Sequence, residues 1–117
     1  MGRNLDIQID TTDRGLDIEM LGAGHVSLGT QISLADGSTV TWSGAPLTKH
    51  AGDPYVFSLV AVLASSASAV AAGVVSNWLY DKLKRGRAAR LRINRTEVEI
   101  EPNKIRIMIE QIERDGQ

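Results

Sequence analysis

The stretch SLVAVLASSASAVAAGVVSNWLYDKLKRGR, residues 58–87, decides how this sequence folds. No charged residue occurs between Pro54 and Asp81, a run longer than the roughly 18–20 apolar residues that cross a bilayer as a helix. Asp53-Pro54 is typical of a helix start, and Lys82–Gly86 combines a cationic last turn with a glycine stop. The sequence therefore predicts one long helix over residues 54–86, buried either in protein or in lipid.

Flanking residues keep a membrane alternative open, in which residues 55–80 form a single span across the inner membrane. Trp78 and Tyr80 lie where interfacial aromatic residues would, next to the basic flank. Against a span, the segment contains five serines, and the N-terminal part would need export without a signal peptide. The two remaining pieces, of roughly 50 and 30 residues, would each be too small to fold. We therefore expect a cytoplasmic protein with a buried helix.

Small residues recur every four positions along the predicted helix. Rows of small side chains let another backbone approach closely. A sheet in so short a chain covers one side of an apolar helix, so we expect a protein partner or a second copy to cover the other. The predicted partner-binding residues are Ala61, Ser65, Ala69 and Gly73 in one row and Ala64, Ser68, Ala72 and Ser76 in the other.

Short strands are predicted before the helix, over residues 1–43. Leu5–Ile9 and Leu16–Leu21 alternate apolar and polar residues, as half-buried strands do. A third strand is predicted within residues 25–34, and Asp36-Gly37 is a strong hairpin signal leading into a fourth. Residues 1–43 are thus expected to form four strands.

A hairpin is predicted after the helix, over residues 90–101. If it turns at Asn94-Arg95, Leu91 faces Val98, and two arginines face two glutamates: Arg92 faces Glu97 and Arg90 faces Glu99. Residues 103–115 then predict a short amphipathic helix, with apolar side chains at Ile105, Met108, Ile109 and Ile112. The predicted fold is a single α+β domain, residues 1–117, with short antiparallel strands from both ends of the chain packed around one long central helix.

Composition and spacing argue against most site chemistry. The net charge of −1 disfavours a non-specific nucleic-acid binder, and the chain has no cysteine for thiolate metal sites. His25 and His50 are the only histidines, and neither has a second ligand at helical or hairpin spacing. We expect no enzyme activity, metal, cofactor or small-molecule substrate. The rival interpretation is an enzyme that uses scattered carboxylates such as Asp13 and Glu19.

One concentration of positive charge follows the predicted helix. It is interpreted either as a solvated helix end or as a contact for phosphate or anionic lipid headgroups. The residues that would make that contact are Lys82, Lys84, Arg85 and Arg87.

The layout of residues 58–113 resembles small accessory and inhibitor proteins of bacterial conflict and phage-defence loci. The resemblance is carried by an Ala-rich helix ending in NWLYDKLK, a charged hairpin and a short closing helix. It implies a non-enzymatic interaction module that binds a larger effector or self-associates.

Overall fold

An antiparallel sheet with three helices forms the part of the chain that the computed structural model describes, residues 4–22, 24–45, 55–64 and 68–115. The six strands are arranged in the order β2-β3-β4-β1-β5-β6. The elements are β1 Asn4–Thr11, α1 Leu16–Leu21, β2 Gln31–Ser33, β3 Thr39–Gly44, β4 Tyr55–Val62, α2 Ser68–Leu83, β5 Arg90–Ile93, β6 Thr96–Val98 and α3 Pro102–Asp115.

Alternation along the two central strands sets the register of the sheet. On β1, Leu5, Ile7 and Ile9 are fully buried, and they pair with Ala61, Leu59 and Phe57 of β4, which are fully buried too. A slip of one residue would turn all of these side chains to the opposite face. Burial of one face therefore specifies the pairing of two strands that lie about 50 residues apart in the chain.

The helices supply the other side of the core. From α2, Leu79 and Leu83 join the same buried cluster, as do Ile105 and Ile109 from α3. The short helix α1 adds Leu16, Met20 and Leu21 to it. One face of the sheet is thus packed against helices.

The predicted helix over residues 54–86 is wrong, and so is the predicted fold built around it. Tyr55–Val62 is strand β4, and the helix α2 starts only at Ser68 and has 16 residues. The uncharged run is apolar because a central strand and a packed helix follow one another. In the strand portion, aromatic and β-branched side chains outweigh helix-forming ones. Within the described ranges, no helix is long and apolar enough to cross a membrane.

Leu16–Leu21 is a second correction, because it is a helix and not a strand. Its buried residues, Leu16, Asp17, Met20 and Leu21, follow helical spacing. Gly22 ends the helix in the left-handed conformation, with φ of 63°. Residues 4–44 therefore contribute three strands to the described structure. The predicted helix start at Asp53-Pro54 lies outside the described residues.

The C-terminal hairpin has the register that the sequence predicts. Leu91 pairs with Val98, Arg92 with Glu97 and Ile93 with Thr96. Asn94 and Arg95 both have positive φ, 49° and 71°, as a two-residue turn of type I′ requires. The helix predicted at residues 103–115 is observed as α3.

The predicted pairing of charges in this hairpin is different in the structure. Arg92 forms its ion pair with Asp10, at 3.1 Å, and Arg90 lies diagonally across from Glu97, at 3.8 Å. Because β1 flanks β5 on its other side, its acidic side chains compete for the same arginines.

Candidate functional site

The face of the sheet opposite the core is partly open to solvent among the described residues. Along β4, the side chains of Val56, Ser58, Val60 and Val62 are partly exposed, in contrast to the fully buried Phe57, Leu59 and Ala61 between them. We call this surface the open face. It comprises Gln31 and Ser33 of β2, Thr39 and Thr41 of β3, these four residues of β4, Asn4, Asp6, Gln8 and Asp10 of β1, Arg90 and Arg92 of β5, Arg95 of the turn that follows, and Glu97 of β6.

An aliphatic strip runs along the middle of the open face. It consists of Val56, Val60 and Val62, and we call it the valine strip. On one side Val60 and Val62 lie beside Thr41 and Thr39 of β3. On the other side the strip borders the polar residues of β1, with Asp6 beside Val60 and Asp10 beside Val56. The strip is therefore apolar surface enclosed by groups that can hydrogen-bond.

Charged residues are confined to one half of the open face. Asp10 and Arg92 form a pair at 3.1 Å whose side chains are 15% and 26% exposed, so this ion pair is largely shielded from solvent. Asp6 and Arg95 both line two shallow depressions of about 420 and 310 Å³, which also reach Val60 and Ser58 of the central strand. Small-molecule sites are usually enclosed and mostly apolar. Shallow, polar depressions of this kind suit a broad protein surface better.

A buried carboxylate lies on the helix side of the sheet. Asp17 of α1 is 1% exposed, and its Oδ2 accepts hydrogen bonds from Trp42 Nε1 at 3.1 Å and from the Tyr55 hydroxyl at 2.6 Å. Its Oδ1 accepts from the backbone N–H of Ile18 at 2.9 Å. Burial, together with the bond to Asp17, raises the pKa of Tyr55 well above its usual range. This cluster joins α1 to β3 and β4, and its polar atoms are satisfied within the protein.

Arg87 ties the N-terminal end of α1 to the connection between α2 and β5. Its guanidinium donates to Glu19 Oε1 at 2.8 Å and to Asp13 Oδ2 at 3.1 Å. These hydrogen bonds hold the pKa of both carboxyls below their ordinary values. Asp13 and Glu19, the carboxylates of the rival enzyme interpretation, are thus engaged by an arginine.

The four basic residues predicted to contact anions separate into two kinds. Arg87 is held by Asp13 and Glu19, and Lys84 pairs with Asp81 at 3.0 Å. Lys82 and Arg85 form no ion pair with another residue in the described ranges. The four side chains therefore do not act as one free basic patch.

The eight small residues predicted to bind a partner are not brought together in two rows. Ala61 is buried in β4, Ala72 and Ser76 are buried in α2, and Gly73 is half-buried. Ala64 follows β4, where its N–H donates to Ser38 Oγ at 3.0 Å. Ser68 and Ala69 begin α2, and Ser65 lies outside the described residues. The rows required a continuous helix, and the change from strand to helix separates their members.

The valine strip was missed by sequence reasoning, although a signal for it exists. From Val56 to Val62, partly exposed and buried positions alternate, and five of the eight residues of β4 are aromatic or valine. Such a composition favours a strand. The long uncharged run concealed this short segment, because the strand passes into α2 without an intervening charge, glycine or proline.

Histidine and carboxylate side chains are the candidate metal ligands of this chain. His25 is exposed in the connection between α1 and β2, and His50 lies outside these ranges. Among the described residues, no three or more histidine, aspartate and glutamate side chains are grouped so as to hold a metal ion.

Comparison with known proteins gives no relative from which a function could be transferred. No family model, no curated protein and no solved structure matches the chain. The resemblance to accessory proteins of phage-defence loci stays a prediction.

Proposed function

We propose that this chain is a non-enzymatic protein–protein interaction module that binds a protein partner on the open face of its sheet. The observation that carries the proposal is the partial exposure of the valine strip at the centre of that face. As the resemblance implies, the module acts as an accessory or inhibitory component. Its location is cytoplasmic.

The energetics of the valine strip favour association. Complete burial of one valine side chain contributes about 1.5–3 kcal/mol relative to full exposure, so the partly exposed valines of the strip retain a minor part of that free energy for a partner. The three valines lie on the same side of one strand, with Ser58 between Val56 and Val60, and they are bordered by polar side chains. An apolar centre with a polar rim is the usual arrangement of a protein interface.

The polar clusters support a binding role over a catalytic one. Asp17 is inaccessible and engaged by Trp42 and Tyr55, while Asp13 and Glu19 are engaged by Arg87. A general acid or base has to reach a substrate, which these internal contacts oppose. The membrane-spanning alternative is not favoured, because β4 occupies the first part of residues 55–80.

Site-specific photo-crosslinking in the cells that produce the protein tests this proposal. A photoreactive phenylalanine analogue replaces Val60 on the open face or, as the matched control, Asn77 on the exposed side of α2. We expect a discrete protein adduct from the Val60 position, identified by mass spectrometry, and none from the Asn77 position. Absence of an adduct at Val60, or equal adducts at both positions, would contradict an interaction at the open face.

A further inference from the structure

We propose that the partner at the open face is a second copy of this chain, stacked face to face about a two-fold axis that crosses β4 between Ser58 and Val60. This inference rests on the proposed function and names its partner. It is carried by the distribution of charge across the open face and by the size of that face.

The open face divides into a neutral half and a charged half. The neutral half comprises the outward residues of β2, β3 and β4, which are valine, threonine, serine and glutamine. The charged half lies on β1, β5, β6 and the turn between the last two. Its three carboxylates, Asp6, Asp10 and Glu97, balance its three guanidinium groups, Arg90, Arg92 and Arg95.

This balance favours an identical partner. A face with an excess of one charge repels its own copy and selects a partner of opposite charge. Here neither sign is in excess, so a second copy meets no net repulsion. An isologous interface, in which the same patch is used by both protomers, requires this kind of self-complementarity.

Desolvation selects the direction of the symmetry axis. An axis parallel to β4 would lay the charged half of one copy over the neutral half of the other, and Arg90 and Arg92 would lose water without gaining partners. An axis in the plane of the sheet and perpendicular to β4 lays each strand over its own copy. The neutral halves then meet one another, and so do the charged halves.

This axis also reverses the order of residues along each strand. Val62 comes to lie over Val56 of the second copy, and Val60 over Ser58 of the second copy. Asp6 comes to lie over Gln8 of the second copy. Arg92 of that copy is paired with this Gln8 on the neighbouring strand, so it is displaced from Asp6 sideways by one strand spacing of about 4.8 Å. The strands of the two sheets run nearly aligned, as in a β-sandwich.

The size of the face agrees with a reversible dimer. Six strands at a spacing of about 4.8 Å, each contributing three to eight residues at about 3.3 Å, give a footprint of about 500 Å² per protomer. The total of about 1,000 Å² lies at the lower limit for a specific interface. Interfaces at this lower limit are typical of weak, transient complexes. Because even interfaces of standard size include micromolar ones, we expect a dissociation constant on the order of micromolar or weaker.

Sedimentation velocity of the purified chain between roughly 1 and 200 µM, a range that brackets the expected constant, tests the dimer. Val60→Lys places an ammonium group against the second copy and should weaken dimerisation at least about tenfold. The matched control is Val70→Lys on α2, because Val70 is 57% exposed and faces away from the sheet. Circular dichroism and the melting temperature establish that each variant is folded.

A crosslinking experiment tests the axis itself and does not depend on whether Val60→Lys folds. Because the chain has no cysteine, single-cysteine variants react at one position only. A short bismaleimide, able to bridge packed sheets about 10 Å apart, should join Ser58→Cys to Val60→Cys in an equimolar mixture. Asn77→Cys mixed with either variant should remain uncrosslinked.

The outcomes separate this inference from the proposed function. A wild-type chain that stays monomeric at every concentration overturns the dimer, as does a dimer that Val70→Lys disrupts and Val60→Lys does not. Failure of Ser58→Cys and Val60→Cys to crosslink overturns the axis. A monomeric chain whose Val60 position still crosslinks to a different protein in cells retains the proposed function and refutes only the second copy.

Discussion

Asp17 illustrates how a single buried polar residue can organise the contacts between elements. Its carboxylate accepts hydrogen bonds from Trp42 on β3 and Tyr55 on β4 while lying in the first turn of α1. Polar groups in such positions are stabilising only while all of their partners are present, because a buried donor without an acceptor carries its full desolvation penalty.

Asp17→Ala should therefore destabilise the protein by about 2–4 kcal/mol, since it leaves the Trp42 and Tyr55 donors without their acceptor. Tyr55→Phe, which removes one of these donors and keeps the ring, should cost only about 1 kcal/mol. Urea unfolding followed by circular dichroism measures both. Equal stability of Asp17→Ala and the wild type would show that water replaces the carboxylate.

The contacts of Arg87 predict a pH-dependent stability. The folded pKa values of Asp13 and Glu19 lie below their ordinary values of 3.8 and 4.5. Stabilisation from such groups is complete above those ordinary values and is lost as pH falls through the lowered pKa values. The stability difference between the wild type and Arg87→Gln should hence be constant from pH 7 to about 5 and shrink below about 4.5.

Urea unfolding at a series of pH values measures this difference. Arg106→Gln is the control, because Arg106 and Glu110 form only an exposed helical pair at 3.7 Å. A difference for Arg87→Gln that persists unchanged at pH 2.5 would mean that Arg87 stabilises the fold by packing and not through its two carboxylates.

At the scale of elements, the distinction between β4 and α2 is the decisive feature of the chain. Both segments are uncharged over most of their length, yet one extends through the middle of the sheet and the other packs on top of it. A solvent-facing position on β4 and a solvent-facing position on α2 should therefore prefer opposite kinds of side chain. β-Branched residues favour a strand, whereas alanine favours a helix.

Paired substitutions test this opposition. On β4, Ser58→Thr should be more stable than Ser58→Ala by about 0.5–1 kcal/mol. On α2, the order should reverse, with Asn77→Ala more stable than Asn77→Thr by about 0.5 kcal/mol. Thermal unfolding at dilute protein concentration measures all four variants. The same order at both positions would contradict the assignment of residues 55–62 to a strand.

At the scale of the whole molecule, the strand order predicts a gradient of local stability. β1 is hydrogen-bonded to β4 on one side and to β5 on the other, while β2 and β6 form edges of three residues each. Opening a central strand breaks two ladders and exposes the core, whereas fraying an edge strand breaks one.

Native-state hydrogen exchange should show the slowest backbone amides in β1 and β4, near Ile7 and Leu59. The fastest exchange within the sheet should occur in β2 and β6, near Ile32 and Glu97. Measurement by NMR resolves each residue. Edge amides as protected as central ones would indicate that the edges are covered, which a partner at an edge strand would do and the proposed face-to-face dimer would not.

Local interactions made some elements predictable from the sequence by itself. The hairpin at residues 90–101 follows from its turn residues and from the apolar pair Leu91 and Val98, which lies close to the turn in the chain. The connection through Asp36-Gly37 and the helix α3 are equally local, since a turn type or a helical period is contained in a few residues.

Only the tertiary structure decided the two elements that were predicted wrongly. The apolar alternation in Leu16–Leu21 fits either a strand or about one and a half turns of helix. The uncharged run after Pro54 fits either one long helix or a strand followed by a shorter helix. The choice depends on hydrogen-bond partners far away in the chain: β4 pairs with β1, about 50 residues earlier. The composition of residues 55–62 could indicate a strand, but only its pairing determines which side of β4 faces the core and which side, the valine strip, faces solvent.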